Sequence, residues 1–386
     1  MDKTQQKLGE RKKENNMKKL LKSLLAFGMA ASLVACGGGS SASTGSSSGT
    51  ASTGGEAAAS TSGAKVGDEG KIAVVRNMQA SDHTTQFFNG CIAEGNALGY
   101  TVDTYVSDGD DAKMQDLLDQ VINKDYNIIV ISHANEGYQA EYVKKALDAG
   151  KYVVCFDCNG EHVPGVTYTS QGDITMTTKT LEAITAKLKE CGGTEPYPLC
   201  EYNTLGLIIP FDLRGEENQR WADEGKIDLR LCAADFNDAY NSIYNHVTKM
   251  LTDYPDQPVG IFLCACAGAV VTGAQDAIDA AGRNEDAWFA GIDISNEVIE
   301  LIQSQQNFLG VGCCDPYVVG VIDVRIAVLN AHGTETPETF ACENVFVGKD
   351  NVTSESNMLN MSMPGFGDSD DFKEGIIEEL RAKYAQ

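Results

Sequence analysis

Histidine is scarce in this chain of 386 residues, which holds five: His83, His133, His162, His246 and His332. No His-Glu-x-x-His helix and no glycine-rich phosphate loop accompany them. A catalytic triad or a zinc hydrolase lacks its parts, and the chain is not expected to be an enzyme. Basic residues are the second shortage, with 30 Lys+Arg against 55 Asp+Glu. Residues 1–36 contain eight of the basic and three of the acidic residues, so the remainder carries 22 against 52, a formal charge of −30. Such a body repels nucleic acid and anionic lipid and offers no basic patch to phosphate. No nucleic-acid partner is expected. A regular disulfide framework is missing too, despite twelve cysteines. Most of them sit in apolar runs, where a thiol behaves as a small hydrophobe. Cys191 and Cys200, flanking a loop with Gly and Pro, are a candidate pair.

What is present begins at Met17. Lys18 and Lys19 precede an apolar run of secretory length, too short and interrupted to be a stable membrane span. It ends on Leu33-Val34-Ala35-Cys36, which looks like a bacterial lipobox: small residues suit the peptidase, and the Cys36 thiol takes the diacylglyceryl group. Sixteen residues precede Met17, leaving Met1 and Met17 both open as the start. Residues 37–66 are almost entirely Gly, Ser, Thr and Ala in their first part and read as a flexible tether. Signal peptide (1–36), lipid and tether (37–66) lead to the expectation of an extracytoplasmic protein anchored to the cell membrane. About 320 residues remain, enough for two lobes with separate cores.

From Lys71 onward, short β-rich runs alternate with amphipathic helices. Ile72-Ala73-Val74-Val75, the segment 100–106, Ile128-Ile129-Val130-Ile131 and Tyr152-Val153-Val154-Cys155-Phe156 are strands. Phe87, Phe88, Cys91, Ile92 and Leu98 recur at helical spacing between the first two. The rhythm restarts after Gln171, with strands at 205–210, 261–266 and 288–292. Continuous apolar strands joined by helices predict α/β architecture with two doubly wound parallel-sheet lobes. In such sheets the ligand lies beyond the carboxyl ends of the strands. His83, Ser132, Asp157, Asp293 and Asp315 follow apolar runs and are the positions to watch.

The ordered set Ala97-Leu98-Gly99-Tyr100, Ala146-Leu147-Asp148-Ala149-Gly150, Phe156-Asp157, Ala234-Asp235-Phe236, Gly273-Ala274, Gly291-Ile292-Asp293 and Asp315-Pro316 resembles the type I periplasmic binding proteins of ABC sugar importers, the ribose and galactose binders, over residues 71–347. That resemblance implies two lobes joined by a three-strand hinge. The N-terminal lobe is expected at 67–171, completed by 315–345, and the C-terminal lobe at 172–314, completed by 346–386. It also implies roles: Asp157 and Asp293 accept from ligand hydroxyls, Arg220 donates to hydroxyl or ring oxygen, and Phe236 covers a C–H face. The implied partners are a small ligand, a sugar or polyol, and ABC permease and ATPase subunits.

Departures from the family's pattern are informative. His83-Thr84 stand where ribose binders place paired Phe, Ala267-Gly268 replace an Asn-Asp pair, Cys158 replaces an arginine and Cys314 a glutamine. The expected ligand-binding set is thus His83, Thr84, Ser132, Asp157, Cys158, Arg220, Phe236, Asp293 and Cys314. A ligand that is smaller or partly apolar would leave fewer donors unsatisfied. A nucleoside or furanose-like signal is the alternative ligand, with Phe236, Trp221 and Tyr138 as stacking surfaces, and a sensor lipoprotein serving a chemoreceptor or histidine kinase is the alternative partner context. Cys155-Phe156-Asp157-Cys158 with Cys264, Cys266, Cys313 and Cys314 is formally a soft-metal set, but small hydrophobes at strand ends explain it, and no metal or cofactor is expected.

Overall fold

The computed structural model describes residues 65–158 and 160–385; the leader with Cys36, and the tether up to residue 64, lie outside the described residues. The apolar runs of the first half become β1 (Gly70–Arg76), β2 (Tyr100–Val106), β3 (Ile128–Ser132), β4 (Tyr152–Phe156) and β5 (Thr167–Ser170), linked through α1 (Asp82–Ala97), α2 (Asp111–Ile122) and α3 (Gln139–Asp148). The sheet order is β5-β4-β3-β1-β2, with β11 (Thr339–Ala341) added at the β5 edge. Every residue of β3 is buried, as a strand covered by helices on both faces requires. Alternation along β1 divides the packing: Ile72 and Val74 face the cluster of Phe87, Leu98 and Ile322, whereas Ala73 and Val75 face Met114, Leu118 and Val143.

The second half repeats the plan. Strands β6 (Tyr197–Asn203), β7 (Ile227–Ala233), β8 (Val259–Leu263), β9 (Ala287–Ile292), β10 (Phe308–Cys313) and β12 (Val345–Gly348) form a sheet of order β12-β10-β9-β8-β6-β7 in which β12 alone is antiparallel to its neighbour. Its helices are α4 (Asp173–Glu190), α5 (Ile209–Asp223), α6 (Ala239–Asp253), α7 (Gly268–Ala281) and α8 (Asn296–Ser304). Two doubly wound lobes are therefore present, as the sequence pattern predicts.

The chain crosses between lobes after β5, after β10 and between β11 and β12. After β10 it returns as α9 (Pro316–Ala331), which crosses α1 so closely that a Cβ at Gly90 would lie 2.0 Å from the Tyr317 carbonyl and one at Gly320 2.3 Å from that of Phe87. Only glycine permits this approach. Asn344 ties the crossings together, its Nδ2 donating to Thr175 Oγ1 at 2.7 Å and to the Gln171 carbonyl at 3.3 Å.

Two expectations differ from the structure. The strand expected at 205–210 lies earlier, at Tyr197–Asn203, and Ile209 and Pro210 instead open helix α5, where proline is tolerated in the first turn. The lobe boundary at the C-terminus differs too. Val347, Val352, Met358, Met361 and Phe366 pack in the C-terminal lobe, but the last helix, α10 (Ile376–Tyr384), places Ile377, Leu380 and Tyr384 in the N-terminal core. The chain thus crosses a fourth time. Buried Glu94 on α1 explains the anchorage: it accepts from Arg325 Nε at 2.9 Å and from Arg381 of α10.

Candidate functional site

Three residues sit immediately past strand ends with positive φ: His133 (61°) after β3, Asp157 (45°) after β4 and Asp293 (77°) after β9. Their amides donate to the carbonyls of Phe156, Thr169 and Gly312 at 2.9, 2.9 and 3.2 Å, so each residue extends the ladder once and then turns away. The left-handed turn swings the side chain off the sheet into a cavity of about 530 Å³ lined from both lobes. Non-glycine residues adopt this conformation at a cost, and such positions concentrate at functional sites.

The N-terminal wall is organised by Arg76, the last residue of β1, which is fully buried. Its guanidinium lies 4.7 Å from the centre of the Phe87 ring, donates to Ser132 Oγ at 3.0 Å and meets His83 Nδ1 at 2.9 Å. Guanidinium only donates, so His83 Nδ1 accepts and its Nε2 carries the proton. Ser132 Oγ also shares a hydrogen bond with His133 Nδ1 at 2.8 Å, and His133 Nε2 lies 3.8 Å from Asp157 Oδ2. Burial holds both imidazoles neutral: it pulls His83 down to about 3, with the Arg76 charge adding to the effect, and His133 well below the usual range. Desolvation lowers Arg76 to about 10, so it stays a cation at neutral pH. Burial also pushes the Asp157 carboxyl well up.

The C-terminal wall is organised by Arg214 on α5, 1% exposed. Its Nε donates to Asp173 at 2.7 Å, its Nη1 and Nη2 reach the two oxygens of Asp293 at 3.3 and 3.4 Å, and Nη1 also donates to the Cys264 carbonyl. This fork holds Asp293 where a ligand can share it. Phe211, one turn earlier, places its ring 5.7 Å from the guanidinium. Ile208, Pro210, Ile294 and Met78 add apolar surface to the lining. At the mouth, Asp82 Oδ2 accepts from the backbone and side-chain nitrogens of Asn296 at 3.1 and 3.0 Å, a bridge between the lobes.

Of the residues singled out in the sequence, His83, Asp157 and Asp293 line this cavity. Ser132 supports the lining from behind through Arg76 and His133. Thr84 is buried and donates to the Gln79 carbonyl, and Cys158 directs its thiol to the Ile131 carbonyl at 3.4 Å. Cys314 reaches Gln171 Oε1 at 3.6 Å, linking two lobe crossings. Phe236 is 40% exposed, with its ring 5.8 Å from that of Phe211. Trp221 packs in the core and donates to Glu217, and Tyr138 donates to Asp111. Arg220 is half-exposed and held by Glu217 and Glu224. None of these lines the cavity.

Arg214 occupies the place assigned to Arg220. Six residues separate them, about 240° around a helix, so one faces the cleft and the other does not. The signal was in the spacing: Phe211, Arg214, Asn218 and Trp221 form the buried stripe of α5. For Arg76 the signal was a lone cation ending an apolar strand.

Residues 72–195 match the periplasmic binding protein domain family. The fold matches the crystal structure of a sugar ABC transporter protein from Yersinia enterocolitica at 28% identity and a TM-score of 0.66, covering 83% of this chain and 95% of that one. The chain has the two-lobe fold of the type I periplasmic binding proteins. Other solved structures share the fold at lower identity. One is the 5-methylthioribose transporter solute binding protein from Thermotoga lettingae with 5-methylthioribose (21%, TM-score 0.65, 82% and 99% covered). Another is an ABC transporter solute binding protein from Mycobacterium smegmatis with glycerol (18%, TM-score 0.59, 78% and 99% covered). No curated protein sequence matches the chain. Periplasmic binding proteins of ABC transporters capture substrate and are not enzymes, and the family is extracytoplasmic. Among the described residues no helix is long and apolar enough to cross a membrane.

Proposed function

We propose that this protein is the lipid-anchored substrate-binding subunit of an ABC importer and that its cleft takes a neutral, hydroxylated small molecule, a sugar or polyol. The observation that carries this reading is a pair of unpartnered atoms in the cleft region: Arg76 Nε, a buried donor, and Asp157 Oδ2, a buried acceptor. Leaving either unsatisfied costs about 1–3 kcal/mol. Hydroxyl groups, which both accept and donate, are suited to both. Two guanidiniums facing the carboxylates of Asp157, Asp173 and Asp293 nearly cancel, which disfavours a strongly charged ligand. The cavity volume lies in the range of small-molecule sites, and its two walls come from different lobes, so binding completes the site by closure.

Phe211, Ile208, Pro210 and Ile294 favour a second reading in which one part of the ligand is apolar, as in the 5-methylthioribose held by the Thermotoga protein. A thermal-shift screen of monosaccharides, polyols, nucleosides and 5-methylthioribose decides between them. A ligand at a hundred times its dissociation constant adds about 2.7 kcal/mol of stability; the absence of any shift across these classes overturns the proposal. The anchor is tested by Cys36→Ala, which should release the protein from membranes or leave it unprocessed.

A further inference from the structure

Cys191 and Cys200, the pair singled out in the sequence, are not brought together. The Cys191 thiol reaches the Glu285 carbonyl at 3.2 Å, whereas the Cys200 and Cys232 sulfurs lie 2.8 Å apart. These two thiols belong to neighbouring parallel strands, Cys200 to β6 and Cys232 to β7. The register pairs Cys200 with Arg230 and Tyr202 with Cys232, so both thiols project from one face of the sheet, two positions offset along the strands. That face packs on α6, with Cys200 inside the core formed by Ile243 and Val247 and Cys232 against its margin. Cys200 is buried; Cys232 is partly exposed.

We propose that Cys200 and Cys232 form a reversible disulfide, a redox-modifiable site that fastens the edge strand β7 to β6. Strand β7 ends the sheet, and its Leu231 side chain is exposed, so the edge is open to further pairing. The link also closes a loop around residues 201–231, which contain α5 with Phe211 and Arg214. It thereby restrains the segment that carries the C-terminal wall of the cleft. Cys232 is the attacking group: it is the accessible one, and the S–H of Cys200 donating to it holds its thiol below the usual value.

A small disulfide of the glutathione type serves as oxidant. The Cys232 thiolate attacks one of its sulfurs, breaking that S–S bond and releasing one thiol after protonation. Cys200 then loses its proton and attacks the Cys232 sulfur, releasing the second thiol and forming the protein disulfide. Two protein thiols are oxidised by two electrons, and one small disulfide is reduced to two thiols.

The test uses the full chain, incubated with oxidised glutathione, alkylated under denaturing conditions and digested with trypsin without reduction. Mass spectrometry should find peptide 190–214 linked to peptide 231–249, and dithiothreitol should abolish the link. Because the first peptide also contains Cys191, the link should persist in Cys191→Ser and vanish in Cys200→Ser and in Cys232→Ser. Full alkylation of Cys200 and Cys232 after oxidation, or a link that is lost in Cys191→Ser, overturns the proposal. The oxidised protein should also melt several degrees higher than the reduced one; equal melting of a demonstrably linked protein would refute the fastening role.

Discussion

Replacing Asp157 by Asn separates its role in binding from its role in the fold. Asn is the appropriate substitute because the backbone here has a φ of 45°, which Asn tolerates better than Ala. The change keeps the shape and one acceptor and removes the charge. Asp157 Oδ2 is buried without a hydrogen-bond partner, 3.8 Å from His133 Nε2. If a ligand hydroxyl donates to it, a charge-assisted bond becomes a neutral one, a loss of about 1–2 kcal/mol. At about 1.4 kcal/mol per decade this is roughly five- to thirtyfold in affinity. Stability should move the other way. Burial raises the Asp157 carboxyl far above its ordinary value, with Asp173 adding to the effect, so its ionised form opposes folding at neutral pH. The variant should therefore melt at or above the wild-type temperature while binding more weakly. Calorimetric titration with the ligand from the screen, paired with thermal melts at pH 7, measures both. Wild-type affinity in the folded variant, or a melting point lowered by more than a few degrees, would refute the argument.

Arg214→Ala should abolish binding and cost about 3–5 kcal/mol, since it strands the buried Asp173 carboxylate and frees Asp293, whereas Arg220→Ala should leave affinity within about twofold; titration and urea melts of the two compare them directly. Burial raises Asp323 to about 7, with Thr169 opposing the shift as a donor, so the stability it contributes is complete below about pH 4 and is lost as pH rises through 7. Asp323→Asn should flatten that fall in melting temperature between pH 5 and 8, and an unchanged slope would remove Asp323 as its source. Asp82→Ala removes the bridge to Asn296 and should enlarge the radius of gyration of the ligand-free protein in small-angle scattering, with affinity weakened a fewfold.

The parts of the molecule legible in the sequence are those set by period and hydrophobicity. Strands such as Ile128–Ser132 are buried on both faces, so they announce themselves as unbroken apolar runs, and their ends mark where Asp157 and Asp293 must turn. Less legible was anything decided by rotation about a helix or by long-range pairing. Arg214 and Arg220 lie on one helix within two turns, and their spacing to Phe211 and Trp221 separates them only once the buried stripe is drawn. The last helix carries charges that read as solvent-facing, and nothing local says that Arg381 will close on Glu94, 287 residues earlier. Arg76 is the instructive case. An arginine ending an apolar strand reads as the point where the strand meets water, yet here Phe87, His83 and Ser132 enclose it. Its burial is tolerable because its charge faces Asp157 and because Ser132 and His83 accept from it. The same enclosure leaves Nε without a hydrogen-bond partner, so the cationic end of β1 gives the cleft wall a fixed charge held by neighbours that are themselves buried.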